Sequence, residues 1–148
     1  MTKNVLITIS GLHYDESALL PEEDNEPIEV MAPALYYFKN GKHYILYEEP
    51  VEGMPGTIKN TIKIKEGEML EIVKSGLANT RMVFEKDKIN ITPYEVPYGE
   101  IMVGIYTTQL DVKVQERQID VYVRYSLDVN GEKLAECNIC MKVEAKDG

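Results

Sequence analysis

Two cysteines and two histidines are the residues of this chain whose types first suggest chemistry. Cys137 and Cys140 have the spacing of a redox pair or of half a zinc site. A redox pair needs a helix N-terminus to lower the thiol pKa, and a structural zinc ion needs four ligands, for which only His13 and His43 remain. The flanking sequence predicts a strand, where residues three apart point to opposite faces. We therefore expect Cys137 in the core, Cys140 facing outward, and neither a disulfide nor a bound metal.

His43 is a candidate general base if Glu48 or Glu49 orients it. The simpler interpretation is a solvent-facing histidine beside a turn, because a catalytic site needs several convergent groups. The sequence contains no nucleophile elbow, no phosphate-binding glycine loop and no HExxH motif. An enzyme is thus the least favoured class, and no cofactor is expected.

Residues 15–29 hold seven acidic side chains and no Lys or Arg. They lack the alternating ligands and central glycine of a calcium loop, which favours a solvated loop. This segment accounts for most of the formal net charge of −9, so the rest of the chain is near neutral. A surface of this balance does not attract a phosphate backbone or an anionic membrane. Neither nucleic acid nor membrane is an expected partner.

The aromatic residues are ten Tyr, two Phe and no Trp. Tyrosine rings and hydroxyls can line a ligand cavity, although Tyr is also an ordinary strand and core residue. The tyrosines that could line a cavity are Tyr36, Tyr37, Tyr44, Tyr47, Tyr98, Tyr106, Tyr122 and Tyr125. The hypothetical ligand-binding residues are Tyr36, His43, Tyr47, Arg81, Tyr98 and Tyr125. Alternation along the sequence leaves the side on which Arg81 lies undetermined.

Short strand-like segments separated by turn residues must position these side chains. They are residues 5–9, 28–38, 43–48, 58–65, 69–74, 81–85, 89–92, 102–114, 119–129 and 134–143. One short helical turn is expected within residues 12–20, and no amphipathic helix of three turns is predicted. This pattern predicts a single all-β domain over residues 1–148, built as a sandwich or a barrel.

Two Asn-Gly turns are specific enough to fix strand register. The turn at Asn130-Gly131 places Leu127 opposite Leu134, and the last three strands form an up-and-down meander. The apolar alternation of the final strand then changes parity, which predicts a β-bulge near Ala135-Glu136.

The turn at Asn40-Gly41 places Leu35 opposite Leu46 and Tyr37 opposite Tyr44 on one face. The other face carries Tyr36, Phe38, His43, Ile45 and Tyr47. Both faces are apolar or aromatic, so one can enter a core while the other needs a cover. That cover is either another part of the chain or a partner, and a second copy in a homodimer is one possibility.

Several short motifs, in this order, resemble the YwiB-like proteins of Gram-positive bacteria, a family of unknown function. The resemblance runs from about residue 35 to residue 143. The matching residues are Tyr44-x-x-Tyr47-Glu48-Glu49, Lys63-Ile64, Glu66-Gly67-Glu68, Ser75-Gly76, Met82, Phe84, Tyr98-Gly99-Glu100, Thr107, Tyr125-Ser126-Leu127 and Asn130-Gly131. The resemblance implies a closed antiparallel barrel similar to the calycins, the group that includes lipocalins, and brings no catalytic residues.

The sequence therefore predicts an antiparallel up-and-down barrel of about eight to ten strands. Binding of a small apolar ligand in the barrel is the first functional hypothesis, since an eight-stranded barrel can hold one small ligand. The alternative is a structural or protein-interaction module acting through the hairpin of residues 35–47, as a homodimer for instance. The apolar run of residues 5–9 is too short for a signal peptide, and no segment approaches the ~20 apolar residues of a membrane span, so a cytoplasmic location is expected.

Overall fold

The computed structural model describes residues 3–11, 29–50, 53, 55–76, 80–96 and 99–146, without the side chains of residues 94–96. The helical turn predicted within residues 12–20, most of the acidic segment, and Tyr98 lie outside the described residues. Ten strands account for most of the described chain, which contains no helix. They are β1 (Lys3–Ser10), β2 (Glu29–Lys39), β3 (Lys42–Pro50), β4 (Thr57–Lys65), β5 (Met69–Gly76), β6 (Thr80–Phe84), β7 (Ile89–Val96), β8 (Gly99–Val114), β9 (Gln118–Val129) and β10 (Glu132–Ala145).

The ten strands form one antiparallel sheet in the order β6-β5-β4-β3-β2-β1-β10-β9-β8-β7. Strand β1 pairs with both β2 and β10, and the edge strands β6 and β7 come side by side. The turn between β6 and β7 also bonds to β8: the Asp87 amide donates to the Thr107 carbonyl at 2.8 Å, and the Thr107 amide donates to the Lys88 carbonyl at 3.3 Å. The sheet is therefore a nearly closed up-and-down barrel, which confirms the predicted fold class.

Both Asn-Gly dipeptides form the predicted tight turns. The φ angles are 53° at Asn40, 77° at Gly41, 51° at Asn130 and 87° at Gly131. Two consecutive positive φ angles define the type I′ turn, whose twist matches that of the flanking strands. The first turn sets the register between β2 and β3, and both predicted cross-strand pairs, Leu35–Leu46 and Tyr37–Tyr44, are present.

The predicted pairing of Leu127 with Leu134 is wrong. A register shift lies between Lys133 and Ala135, so Leu127 pairs with Ala135 and Leu134 is the extra residue. The predicted bulge exists, but it lies one residue closer to the turn, and Leu134 is left exposed on the surface. A second bulge, between Thr107 and Gln109 in β8, was not predicted.

Alternate residues of each strand point into the barrel, as the period of two requires. The largest fully buried side chain is Phe84, whose ring meets that of Tyr125 edge-on with centroids 5.0 Å apart. The other large apolar side chains with almost no exposure are Ile7, Ile9, Ile45, Ile62, Ile64, Leu70, Ile72, Ile105, Val123 and Ile139. These residues come from eight strands, so the interior of the barrel is the core of the molecule.

Candidate functional site

The structure brings four of the six candidate ligand-binding residues to the interior of the barrel. These four are Tyr36, His43, Tyr47 and Tyr125. Arg81 instead points outward from edge strand β6, where its Nε and Nη2 atoms lie 2.7 and 2.6 Å from one carboxylate oxygen of Glu71. Tyr98 lies outside the described residues.

His43 is buried, and the expectation of a solvent-facing histidine is wrong. Its Nδ1 lies 2.7 Å from the Tyr36 hydroxyl, and the Phe38 ring is tilted against it with centroids 4.8 Å apart. Burial lowers the pKa of His43, which the charge of Glu66 partly offsets, and burial raises the pKa of Tyr36. Glu49, one of the two carboxylates considered as its orienter, contacts other residues at the far end of β3.

Tyr125 already has a partner for its hydroxyl within the chain. The hydroxyl forms a hydrogen bond with the Cys137 thiol, and the pKa of each group is raised, mainly by burial. Cys137 is half-buried on the inner face of β10, whereas Cys140 is exposed on the outer face. The predicted placement of the two cysteines on opposite faces is therefore confirmed.

Four of the tyrosines considered for the cavity point away from the interior. These are Tyr37, Tyr44, Tyr106 and Tyr122. Tyr37 and Tyr44 stack on the outer face with ring centroids 4.8 Å apart, and the Lys63 ammonium lies 5.5 Å from the Tyr44 centroid. The reason is strand parity: each of the four is adjacent in sequence to a residue that faces inward.

An outer groove of about 320 Å³ crosses the sheet where β1, β10, β9 and β8 lie side by side. Its walls carry side chains of both signs, among them Asp111, Lys113, Asp120 and Lys142. Lys142 also pairs with Glu144, with Nζ and Oε1 3.5 Å apart. The alternating charges leave no concentration of one sign to select a ligand.

A polar cluster on the inner faces of three adjacent strands was missed by the sequence analysis. Glu49 of β3, Asn60 of β4 and Lys74 of β5 form it. The Asn60 amide nitrogen and the Lys74 ammonium donate to the same carboxylate oxygen of Glu49, at 2.8 and 3.0 Å. The side chain of Lys74 is only 12% exposed and that of Glu49 28%. Tyr47 is paired with Asn60, and burial followed by the charge of Glu49 raises its pKa.

Asn60 is only 1% exposed, and its side-chain carbonyl oxygen, Oδ1, is buried without a hydrogen-bond partner. Its amide nitrogen faces two acceptors, Glu49 Oε1 at 2.8 Å and the Ile58 carbonyl at 3.4 Å. Exchanging the oxygen and nitrogen would bring oxygen against oxygen, so the network fixes the orientation. Thr107 Oγ1 and Asn90 Nδ2 are also buried without partners. Buried polar atoms are almost always bonded, so each such atom calls for an explanation.

The signal that would have found this cluster is polar residues on the inward parity. Asn60 shares its face with Ile62 and Ile64, and Lys74 shares its face with Leu70 and Ile72. Each polar residue by itself resembles a strand end that runs into solvent. Only the register between strands shows that they meet inside the barrel.

The fold and this interior define the class of the molecule: a small ten-stranded antiparallel barrel with an apolar core and a polar cluster on its inner wall. The profile of the family described as domain of unknown function DUF1934 matches residues 14–141. The chain therefore belongs to the DUF1934 family. Over the described residues, no helix is long and apolar enough to cross a membrane.

Two comparisons confirm the predicted resemblance to YwiB-like proteins. The chain is 26% identical over 118 residues to the uncharacterized β-barrel protein YwiB of Bacillus subtilis strain 168, covering 80% of this chain and 81% of that protein. The crystal structure of the ywiB protein from Bacillus subtilis superposes with a TM-score of 0.75 at 18% identity, covering 99% of this chain and 94% of that one. These likenesses support the barrel fold and leave the function of the family open.

Proposed function

We propose that the barrel binds a small molecule in its interior, with a polar group of the ligand at the Glu49–Asn60–Lys74 cluster. The observation that carries the proposal is the unpartnered, buried Asn60 Oδ1 beside a largely buried ion pair. Ligand sites characteristically combine an apolar lining with a few convergent polar groups. The proposal gives the small apolar ligand predicted from the sequence one polar end.

A partly buried ion pair is a weak source of core stability. Desolvation of the Lys74 and Glu49 side chains, 12% and 28% exposed, offsets part of their attraction, and well-packed apolar residues of similar volume often stabilise a protein as well or better. The hydrogen-bond network of the cluster is incomplete, because the Glu49 carboxylate accepts two hydrogen bonds while the neighbouring Asn60 Oδ1 accepts none. A ligand that completes this network supplies a reason for keeping polar groups on the inner wall.

The number of strands in the barrel is compatible with a ligand. Eight strands enclose just enough space for side chains or one small ligand, and the diameter increases with strand number. Inward apolar residues that remain half-buried are Ala32, Tyr36, Val103, Val112 and Cys137. Partial exposure of residues that pack against the core is expected near the openings of a barrel through which a ligand enters.

Interior binding can be tested with a fluorescent apolar probe, N-phenyl-1-naphthylamine, and with native mass spectrometry of freshly purified protein. We expect saturable, one-to-one fluorescence enhancement that is weakened by Ala32→Leu, which adds volume on the inner wall of β2. The control is Thr61→Val, which replaces a hydroxyl by a methyl group on the outward face of β4 and leaves the inner wall unchanged. Probe binding that does not saturate, together with the absence of any co-purified small molecule, would refute the proposal.

A second candidate function is self-association through the outer face of the β2–β3 hairpin. The inward face of this hairpin is packed in the barrel, but on the outward side Leu35 is 48% exposed and Met31 62% exposed. These two residues lie four positions apart on the same face of β2, and exposed apolar residues that share a face characterise interaction surfaces. Sedimentation velocity over a wide concentration range tests it: a dimer that Leu35→Glu dissociates supports the candidate, and a monomer at every concentration contradicts it.

A further inference from the structure

We infer that the polar group of the ligand is a hydrogen-bond donor, a hydroxyl or an amine, attached to an apolar chain. This inference rests on the proposed function and adds the chemical class of the ligand. It follows from which hydrogen-bonding positions of the Glu49–Asn60–Lys74 cluster are occupied and which are open.

The donors of Asn60 are in use. A carboxamide nitrogen carries two hydrogens, and the two acceptors near Asn60 Nδ2 are Glu49 Oε1 and the Ile58 carbonyl. The Lys74 ammonium is engaged with Glu49 and has a further interaction besides. A ligand that offers only acceptors, such as a carboxylate, therefore finds both Asn60 hydrogens directed at acceptors and has to share the Lys74 ammonium with Glu49.

The open positions are acceptors. Asn60 Oδ1 has no partner, and both donors directed at Glu49 converge on its Oε1 atom. A hydroxyl or amine hydrogen placed against Asn60 Oδ1 removes the cost of a buried, unsatisfied carbonyl. A carboxylate in the same place would bring oxygen against oxygen and a negative charge towards Glu49.

The charge of the cluster leads to the same class. Lys74 and Glu49 neutralise one another, so the cluster has no excess positive charge with which to hold an anion. A neutral alcohol loses least on leaving water, and a protonated amine that reaches Glu49 Oε2 gains a charge-assisted hydrogen bond there. Alcohols and amines therefore share the site and carboxylates are rejected. The competing occupant is water, which also donates hydrogen bonds and fits small polar sites.

The test uses three ligands with the same apolar chain: 1-octanol, octylamine and octanoate, titrated calorimetrically into the whole protein at neutral pH. We expect octanol and octylamine to bind at least about tenfold more tightly than octanoate, as one additional satisfied hydrogen bond at a buried acceptor implies. Asn60→Leu removes the acceptor at similar volume and should abolish this preference. Thr61→Val, the adjacent outward residue, should leave it intact.

A second variant keeps the test valid if Asn60→Leu does not fold. Glu49→Gln retains a carbonyl acceptor and removes the negative charge, so it should reduce the affinity for octylamine and leave that for octanol within about twofold. Equal affinities of the three ligands for the native protein, or tighter binding of octanoate, would overturn the inference while interior binding stands.

Two further outcomes separate the inference from the proposed function. Saturable binding of the fluorescent probe without binding of any octyl compound would overturn the assignment of an alkyl alcohol or amine and leave interior binding standing. Failure of the probe as well as of all three octyl compounds would overturn interior binding itself.

Discussion

Substitution of Gly11 and of Gly131 by alanine, compared with each other, tests how closely β10 approaches the end of β1. Both glycines have a φ of 87°, a conformation that is costly for any residue with a Cβ. A Cβ on Gly11 would lie 2.2 Å from the main-chain oxygen of Asn138 on β10, whereas a Cβ on Gly131 would have no atom within 4 Å. Gly11→Ala and Gly131→Ala therefore share the backbone strain and differ only in the steric overlap.

The magnitudes follow from these two terms. Left-handed backbone costs about 1–2 kcal/mol for a residue with a Cβ, and the lower entropy of the unfolded alanine chain offsets about 0.4–1 kcal/mol. Gly131→Ala should thus destabilise by roughly 1 kcal/mol. Relieving the overlap at Gly11 needs a backbone shift beside the Ser10–Cys140 pair, at the end of the β1–β10 ladder. Losing one or two ladder hydrogen bonds and leaving a carbonyl unsatisfied brings the total to about 3 kcal/mol.

Urea unfolding followed by far-ultraviolet circular dichroism measures both variants. The m-value should stay constant, because the surface exposed on unfolding is unchanged. For a chain of 148 residues, 1 kcal/mol corresponds to roughly 2–4 °C in Tm, so Gly11→Ala should melt about 4–8 °C below Gly131→Ala. Equal midpoints for the two variants would refute the close approach of β10 to Gly11.

Three further predictions concern His43, the cysteines and the core. Burial lowers the pKa of His43 below 6.5, so the unfolded chain binds more protons than the folded protein as the pH falls. The contribution of neutral His43 to stability is therefore complete above about pH 7.5 and is lost as the pH falls through 6.5. The difference in unfolding free energy between the native protein and His43→Gln, measured from pH 5 to 8, should show this loss. A pH-independent difference would contradict this. Cys140 should react with a thiol reagent in the folded protein and Cys137 only after denaturation, with no zinc by metal analysis; stoichiometric zinc, or two thiols titrating alike before unfolding, would oppose it. Phe84→Ala should lower the free energy of unfolding, measured with a chemical denaturant, by about 3–5 kcal/mol. Replacement of the exposed Phe38 by alanine is the control and should lower it by less than about 1 kcal/mol. Similar losses for the two variants would mean that Phe84 is not a core residue.

Local chemistry made most of the strands and both hairpins predictable. Asn-Gly pairs and apolar alternation depend on neighbours in sequence, so the turns at Asn40 and Asn130, and the cross-strand pairs fixed by the first of them, were found without tertiary information. The bulge at Leu134 was placed one residue too late because alternation shows that parity changes but not at which residue. Pairing of β1 with β10 joins the two ends of the chain, and no local pattern indicates it.

The candidate site was less predictable because it depends on register across several strands. His43 follows a turn, which suggested exposure, but its position opposite Ile64 on the inward face buries it. Glu49, Asn60 and Lys74 are far apart in sequence and become neighbours only when three strands align. Tyr125, one of the candidate cavity-lining residues, does point inward, since its parity is set by a long, regular strand.

The order of strands in the sheet has a consequence for the speed at which the chain folds. Among the described strands, every neighbouring pair except β1–β10 is consecutive in sequence, and in that pair Ile7 meets Val143. Hairpins close short loops, whereas this pairing must close almost the entire chain, and folding rates fall as contacts become more distant in sequence. The two meanders, β1 to β6 and β7 to β10, are thus each able to form from local contacts. We expect their joining along β1 and β10 to limit the folding rate, and until it occurs both strands are open edges that can pair with other chains.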